Sequence, residues 1–339
     1  MPTPTEAQVV SALDDLGYAA TKAQFINALE NADLLQPVSG HRYAERLLFA
    51  PPALSNPIVV NLGTGYQGDP SGASTNTDIN FIPSESPRVG GFNLTTGRNV
   101  RQIGGRVDYN PSGGSRAHQW YGLSGSAYFE GIAVNLIRQP SDCFSAGGGS
   151  GTNPDIYIQN CWGDGLRGDN AGLHPDFLQL GQPIRSLYSH RTTFTTNYQG
   201  MFLSAQAAIT GEIIIVESNA HCLENAAPNS GYGSAYWFSD SIDQWNNTSH
   251  PITVRDVWIA PGPDRTVRDR VTCYAPGYEA GRGVYSSDNI SPFVWYPDLY
   301  PRLSDGAGGP AKFREGTPPG GDFCPEASVG VGYASPGYR

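Results

Sequence analysis

The fold of this chain is decided by the run Ile213-Ile214-Ile215-Val216-Glu217-Ser218-Asn219, because three other segments resemble it. Each segment is a short β-branched or aromatic run that ends near polar residues, which is typical of β-strands. The other three runs are Ile156-Tyr157-Ile158-Gln159-Asn160, Ile184-Arg185-Ser186-Leu187-Tyr188 and Ile252-Thr253-Val254-Arg255-Asp256-Val257. In chain order, the starts of the four runs lie 28, 29 and 39 residues apart.

A second series of runs falls between the members of the first. It consists of Asp176-Phe177-Leu178-Gln179-Leu180, Gly200-Met201-Phe202-Leu203-Ser204 and Ala235-Tyr236-Trp237-Phe238-Ser239. Two interleaved strand series with a common period of about 30 residues predict a solenoid in which each period forms one coil. Each strand then stacks on its counterpart from the next coil, about 4.8 Å away. The longer third interval predicts an insertion near residues 225–233, which would form a loop on one face.

The sequence therefore predicts an all-β parallel β-helix over residues 56–301. The competing fold is an antiparallel sandwich or jelly roll, which needs Asn-Gly or Asp-Gly turns between alternating strands. Asp164-Gly165 and Asp305-Gly306 are present, but neither lies between two alternating runs at hairpin spacing. This absence favours the solenoid.

The two ends of the chain differ from the repeats. Within residues 1–37, the capping boxes Thr5-Glu6-Ala7-Gln8 and Thr21-Lys22-Ala23-Gln24 precede apolar residues at helical spacing and predict a short α-helical hairpin. This hairpin is interpreted either as a cap on an end of the solenoid or as an anchor that docks on a larger particle. Residues 302–339 are rich in Gly and Pro and are expected to form an irregular, extended C-terminal arm.

Composition excludes several classes of partner. The formal net charge is −10, and such a field repels nucleic acid and anionic membranes. No apolar run approaches about 18 residues, so no membrane insertion is expected. The N-terminus shows no signal-peptide pattern, which predicts synthesis in the cytoplasm and release by assembly or lysis. The five cysteines are scattered without a Cys-x-x-Cys pair, so we predict no disulfide scaffold, no metal and no cofactor.

A family resemblance rests on strands that end in Asn and on one longer motif. These segments are Ile158-Gln159-Asn160-Cys161, Val216-Glu217-Ser218-Asn219 and Gly172-Leu173-His174-Pro175-Asp176-Phe177-Leu178-Gln179. Over about residues 100–257, the chain resembles the pectate-lyase-like right-handed β-helices, especially phage tailspike and capsular-depolymerase proteins. The resemblance implies a right-handed coil, polysaccharide binding on the lateral face and a homo-oligomer, with a trimer favoured. A helical segment before a β-helix is also similar to virion spikes, including gene transfer agent head spikes that bind host capsule, and implies a location on the particle surface.

Polar residues cluster between the two strand series. We predict catalytic roles for His174, Asp176 and Arg185. The predicted substrate-binding residues are Asp164, Asp169, Gln179, Arg191, Tyr198 and Trp237. Because His174 and Asp176 are two residues apart, they point to the same side of a strand.

Three interpretations of His174 and Asp176 remain open: a structural pair, a groove that holds sugar, or an acid and base. A lyase needs a base and a cation that neutralises a uronate, which His174 with Arg185 or Arg191 could supply. A hydrolase needs two carboxyl groups about 5 Å or about 6.5–9.5 Å apart. Asp164, Asp169 and Asp176 are the candidates for such a pair.

Aromatic residues make up 11% of the chain and recur near the ends of the runs. Adjacent pairs such as Trp120-Tyr121 and Tyr236-Trp237 cannot both face inward on a strand, so one ring of each pair is expected outside. Exposed rings suit sugar binding or oligomerisation. The leading hypothesis is a virion or virion-like spike that binds cell-surface polysaccharide. The alternatives are a polysaccharide lyase or glycoside hydrolase of the same fold and a structural decoration protein.

Overall fold

The computed structural model describes residues 45–110, 116–137, 141–168, 174–203, 209–223, 234–239, 245, 247–263, 265–272, 293–295 and 302–339. The helical hairpin predicted for residues 1–37, the insertion predicted near residues 225–233, and Asp169 lie outside this part of the chain. Within it, no helix is long and apolar enough to cross a membrane.

Almost all regular structure in the described residues is β-strand. In chain order the strands are β1 (Ile58–Asn61), β2 (Ile79–Ile82), β3 (Asn93–Leu94), β4 (Gly97–Ile103), β5 (Arg106–Tyr109), β6 (His118–Glu130), β7 (Ala133–Leu136), β8 (Phe144–Gly148), β9 (Asp155–Leu166), β10 (Leu178–Gln179), β11 (Leu187–Thr196), β12 (Gln199–Phe202), β13 (Ile213–Cys222), β14 (Ser234–Trp237), β15 (Ile252–Ala260), β16 (Val271–Thr272), β17 (Phe293–Trp295), β18 (Leu303–Ser304) and β19 (Lys312–Glu315). Two short 3-10 turns, Val267–Arg270 and Glu326–Ser328, are also present.

The strands stack in three parallel series, called faces A, B and C. Face A contains β1, β2, β4, residues 126–130 of β6, 155–159 of β9, 187–190 of β11, 213–216 of β13, 252–255 of β15, and β18. Face B contains β5, β7, residues 161–166, 192–196, 218–222 and 257–259, and β19. Face C contains β3, residues 118–123, β8, β10, β12, β14 and β16. Strand β17 pairs antiparallel with β19.

This arrangement is a β-helix-like parallel solenoid, as the sequence predicted. The clearest evidence is a column of apolar residues on face A, each partnered with its counterpart one coil later. Its fully buried members are Ile79, Val100, Ala127, Ile156, Leu187, Ile213, Ile252 and Leu303. Burial of such a column, at about 25 cal/mol per Å² of apolar surface, is the main favourable term for folding.

One detail of the predicted register is wrong. The sequence aligned Ile184 with Ile156 and Ile213, but Leu187 takes that place in the column. Ile184 instead forms an isolated bridge with Ile209, three residues before β11 begins. Both Ile184 and Leu187 are buried apolar residues three positions apart, so their hydrophobicity alone could not distinguish them.

In six successive coils, the bend from face A to face B contains a residue in the left-handed region. These residues are Gly104, Gly131, Asn160, Arg191, Glu217 and Asp256, all with φ between 46° and 78°. The left-handed conformation costs roughly 1–2 kcal/mol for an ordinary side chain, and Asn, Asp and Gly tolerate it best. Arg191 and Glu217, which do not belong to that group, occupy adjacent coils and bind each other, with Arg191 Nε donating to Glu217 Oε2 at 2.7 Å. This ion pair offsets the backbone strain at both bends.

The chain after β19 runs back along the solenoid. Phe323 N donates to Asn219, Cys324 N donates to Thr193, and Gly330 N donates to the carbonyl oxygen of Gly131. The arm therefore crosses the outside of face B from the later coils towards the earlier ones.

The end of the arm closes over a buried carboxylate, Glu130. Three tyrosine hydroxyls donate to this side chain: Tyr128 at 2.6 Å, Tyr333 at 3.0 Å and Tyr338 at 2.8 Å. Tyr338 also forms a parallel bridge with Leu47, so the C-terminal arm and the first described residues meet on one side of the solenoid.

Candidate functional site

A row of outward-facing side chains on face C crosses six consecutive coils and is here called the polar strip. Its members are Asn93, Gln119, Ser145, Gln179, Phe202 and Trp237. They alternate with inward residues such as His118 and Phe144, which belong to the core. Parallel stacking places successive members about 4.8 Å apart.

Arg116 joins three coils next to this strip, and Gln119 extends the connection to a fourth. Its Nη1 donates to Gln119 Oε1 at 2.5 Å and its Nη2 donates to Gln179 Oε1 at 2.9 Å. Its Nε donates to Asp142 Oδ2, while Gln119 Nε2 donates to Asn93 Oδ1 at 2.8 Å. The result is a continuous hydrogen-bonded network on the outside of face C.

Beneath Arg116 lies a pair of buried carboxyl groups, Asp142 and Asp176. The backbone N of Asp176 donates to Asp142 Oδ1 at 3.1 Å. Burial raises the pKa of Asp142, although Arg116 acts to lower it. Burial raises the pKa of Asp176 well above its usual range, and the neighbouring Asp142 raises it further. Both carboxyl oxygens of Asp176 are buried without a hydrogen-bond partner, which disfavours the charged form of Asp176.

Tyr121 extends the network towards the far edge of face C. Its hydroxyl is hydrogen-bonded to the Ser145 hydroxyl, and its ring centroid lies 5.9 Å from the guanidinium carbon of Arg116. A Cβ at Gly181 would lie 2.4 Å from the Tyr121 hydroxyl oxygen. Because glycine has no Cβ, position 181 leaves room for the Tyr121 hydroxyl in this place.

The polar strip changes character along its length, from amides to aromatic rings. Phe202 and Trp237 lie at its later end with ring centroids 5.6 Å apart. Next to this face, the exposed His174 stacks on Tyr198 with centroids 5.1 Å apart and an interplanar angle of 27°. The strip thus places amides and aromatic rings on the same side of the solenoid, although Ser145 is fully buried and Trp237 is only 8% exposed.

The predicted site residues are only partly brought together. Gln179 and Trp237 belong to the polar strip, and Asp176 lies under it. His174 and Tyr198 form the adjacent stacked pair. Arg185 lies after face C, at the start of face A, where its guanidinium binds Asp155.

The remaining predicted residues lie on other parts of the solenoid. Arg191 is at the bend between faces A and B, fully buried against Glu217 and the backbone oxygen of Glu45. Asp164 is on face B, where its negative charge acts to raise the pKa of His221. His221 Nε2 is 2.6 Å from Asp322 Oδ1 of the C-terminal arm, and this hydrogen bond is the main reason that the pKa of His221 is raised.

Sequence reasoning missed Arg116, Asp142, Gln119 and Tyr121. These residues are distant from His174 in the chain, and only the coil register makes them neighbours. The one usable signal was the adjacent pair Trp120-Tyr121, for which one ring was expected outside. That expectation is confirmed: Trp120 is fully buried and Tyr121 is part of the outward network.

The comparisons with known proteins identify no relative. No protein-family model matches the chain, and no curated protein or solved structure is significantly similar to it.

Proposed function

We propose that the chain binds polysaccharide along the polar strip of face C. The observation that carries this proposal is the strip itself, a row of amides, a hydroxyl and aromatic rings on six consecutive coils. Amide side chains both donate and accept hydrogen bonds, as sugar hydroxyls do. Aromatic faces pack against the apolar faces of sugar rings. A linear polymer can therefore repeat the same contacts from coil to coil.

The wider proposal is a right-handed β-helical spike of the tailspike type on a virion or virion-like particle. Parallel crossover connections are right-handed in almost all known cases, which supports the handedness. Attachment to the particle is proposed for residues 1–37, and a homo-oligomer, with a trimer favoured, is the proposed assembly. These parts of the proposal rest on the sequence patterns and on the resemblance given above.

A second candidate function, a glycoside hydrolase, is favoured by the Asp142–Asp176 pair. A hydrolase needs one carboxyl group with a raised pKa to act as the general acid, and burial raises the pKa of Asp176 well above its usual range. The carboxyl oxygens of Asp176 are, however, buried in the described structure. Binding without cleavage therefore ranks first.

The experiment is affinity electrophoresis on gels that contain purified polysaccharides, followed by sizing of each polymer after incubation. The panel consists of dextran, galactomannan, linear β-glucan, alginate and polygalacturonate. We expect retarded migration on at least one polymer, loss of that retardation in Gln179→Ala and Trp237→Ala, and no shortening of the polymer. Asn80→Ala, on face A, is the control. Unchanged retardation in both strip variants contradicts the proposal, and shortened polymer that disappears with Asp176→Asn establishes the hydrolase instead.

A further inference from the structure

We infer that the polar strip takes an uncharged polysaccharide and discriminates against acidic ones. This inference rests on the proposed function and specifies its substrate class. It reverses the simpler expectation from the sequence, in which arginines of this region neutralise a uronate.

The first observation is that Arg116, the arginine next to the strip, already donates hydrogen bonds to other protein side chains. Each of the three nitrogens of the Arg116 guanidinium donates within the protein, to Asp142, Gln119 and Gln179. Bidentate recognition of a carboxylate needs two parallel N–H groups on one edge of the guanidinium. The single Nε–H is held by Asp142, so a sugar carboxylate that bound side-on through Nε would have to displace this internal acceptor.

The second observation is the balance of charge beneath the strip. One cation, Arg116, lies next to two carboxyl groups, Asp142 and Asp176. Asp142 is paired directly with Arg116, and its side chain is only 6% exposed. This local set carries no net positive charge, within a chain whose formal net charge is −10. A polyanion at this place meets no attractive field.

The third observation concerns the arginines that the sequence offered for a uronate. Arg185 binds Asp155 through Nε at 2.7 Å and through a second contact from Nη2. Arg191 binds Glu217 at 2.7 Å and is fully buried. Both are held by carboxylates of the protein, and neither belongs to face C.

What the strip offers is suited to neutral sugars. The amides of Asn93, Gln119 and Gln179, which are half-buried, can match sugar hydroxyls. Phe202 and Trp237 add apolar area. Recognition by these groups does not depend on the charge of the polymer, so binding should change little with ionic strength.

The test uses matched pairs of polymers that differ only in charge. Polygalacturonate and alginate are each compared with a derivative in which the carboxyl groups have been reduced to alcohols. Wild-type protein is run in affinity electrophoresis on each member, and on dextran, galactomannan and linear β-glucan, at low and high salt. We expect retardation by uncharged polymers only, with little effect of salt.

The decisive variant is Asp142→Asn, which keeps the shape of the side chain and leaves the charge of Arg116 uncompensated. We expect this variant to gain salt-dependent retardation on polygalacturonate or alginate, by about two- to fivefold in apparent affinity, the range of an exposed charge interaction. The double variant Asp142→Asn/Arg116→Gln should lose the gain. Asp155→Asn, which uncouples Arg185 on another face, is the matched control and should show no specific gain.

The outcomes separate this inference from the proposed function. Wild-type protein that prefers an acidic polymer to its reduced form overturns the inference and leaves polysaccharide binding intact. Equal behaviour of Asp142→Asn and Asp155→Asn also overturns it, because Asp142 would then not control charge selection. Wild-type protein that is retarded by no polymer contradicts the proposed function itself.

Discussion

Arg116 and Gln179 are 63 residues apart in the chain, yet Arg116 Nη2 donates to Gln179 Oε1 at 2.9 Å. The contact exists because β6, β8 and β10 stack in register on face C. The same guanidinium reaches Asp142 on the coil between them. One side chain thus joins three layers of the solenoid, and the candidate binding surface and the stability of the fold depend on the same group.

Substitution of Arg116 should lower stability as well as binding. In Arg116→Gln the buried Asp142 loses its charged donor, which should lower the free energy of unfolding by about 1–3 kcal/mol. Urea denaturation measures the change. Arg101→Gln is the control, because Arg101 Nε donates to the neutral Asn80 at the surface of face A and should cost less. An equal fall in the free energy of unfolding of the two variants would show that the Arg116–Asp142 pair contributes no more than the surface contact of Arg101.

Asp176→Asn should stabilise the protein at neutral pH. The pKa of Asp176 is raised well above its usual range by burial, so the folded state of the wild type keeps a proton that the unfolded state releases above about pH 4. The contribution of Asp176 to wild-type stability is therefore lost as the pH rises from about 4 towards the folded-state pKa. The asparagine variant does not titrate, so its stability does not fall for this reason. Urea denaturation at pH 4 and pH 7 should give a difference between the two proteins that grows with pH. A difference that does not grow with pH would contradict the raised pKa of Asp176.

Asp78 should contribute to unfolding in acid. Its carboxylate accepts two hydrogen bonds from the Arg98 guanidinium, and these lower the pKa of Asp78 to about 2. The stabilisation is present above about pH 4 and is lost as the pH falls towards 2. It amounts to about 1–2 kcal/mol, reduced from the full shift because Arg98 is 40% exposed and screened by solvent. In Asp78→Asn, the fall in stability between pH 4 and pH 2 should be smaller by this amount, and an unchanged acid profile would contradict the assignment.

The tyrosines of the C-terminal arm should hold it against the solenoid through Glu130. Tyr333→Phe/Tyr338→Phe removes two of the three hydroxyl donors to this buried carboxylate. The expected loss is about 1–3 kcal/mol for each hydrogen bond removed from this buried group, together with faster proteolysis after residue 315. Tyr66→Phe, at a side chain that is 60% exposed, is the control for loss of a hydroxyl. Protease resistance equal to that of the wild type would show that the arm is held elsewhere.

Much of the fold was predictable from the sequence because an inward column must be apolar on every coil. Ile156, Ile213 and Ile252 belong to one column as expected, with Leu187 between the first two. The second series supplied Leu178, Met201 and Tyr236 on face C. The place of Leu187 was missed because an equally apolar Ile184 lies three residues earlier. Hydrophobicity gives the period of a solenoid more reliably than its register.

The candidate site was less predictable, for a physical reason. Outward side chains are not constrained to be apolar, so no periodic signal identifies which polar residues share a face. Gln179 and Trp237 were selected from their own strands, but Arg116 and Asp142 become their neighbours only once the coils are stacked. Arg185 and Arg191 were plausible sugar ligands in the sequence and are bound to Asp155 and Glu217 in the structure.

The most direct test of the central claim is hydroxyl-radical footprinting of side chains, with and without a polysaccharide that retards the protein. The rates at Tyr121 and Phe202 are read relative to Tyr157, a half-buried ring on face A, which corrects for radicals consumed by the sugar. Binding along the polar strip predicts that the relative oxidation rates of Tyr121 and Phe202 fall when the polysaccharide is present. Relative rates at Tyr121 and Phe202 that stay unchanged or rise when the polysaccharide is present would contradict the account.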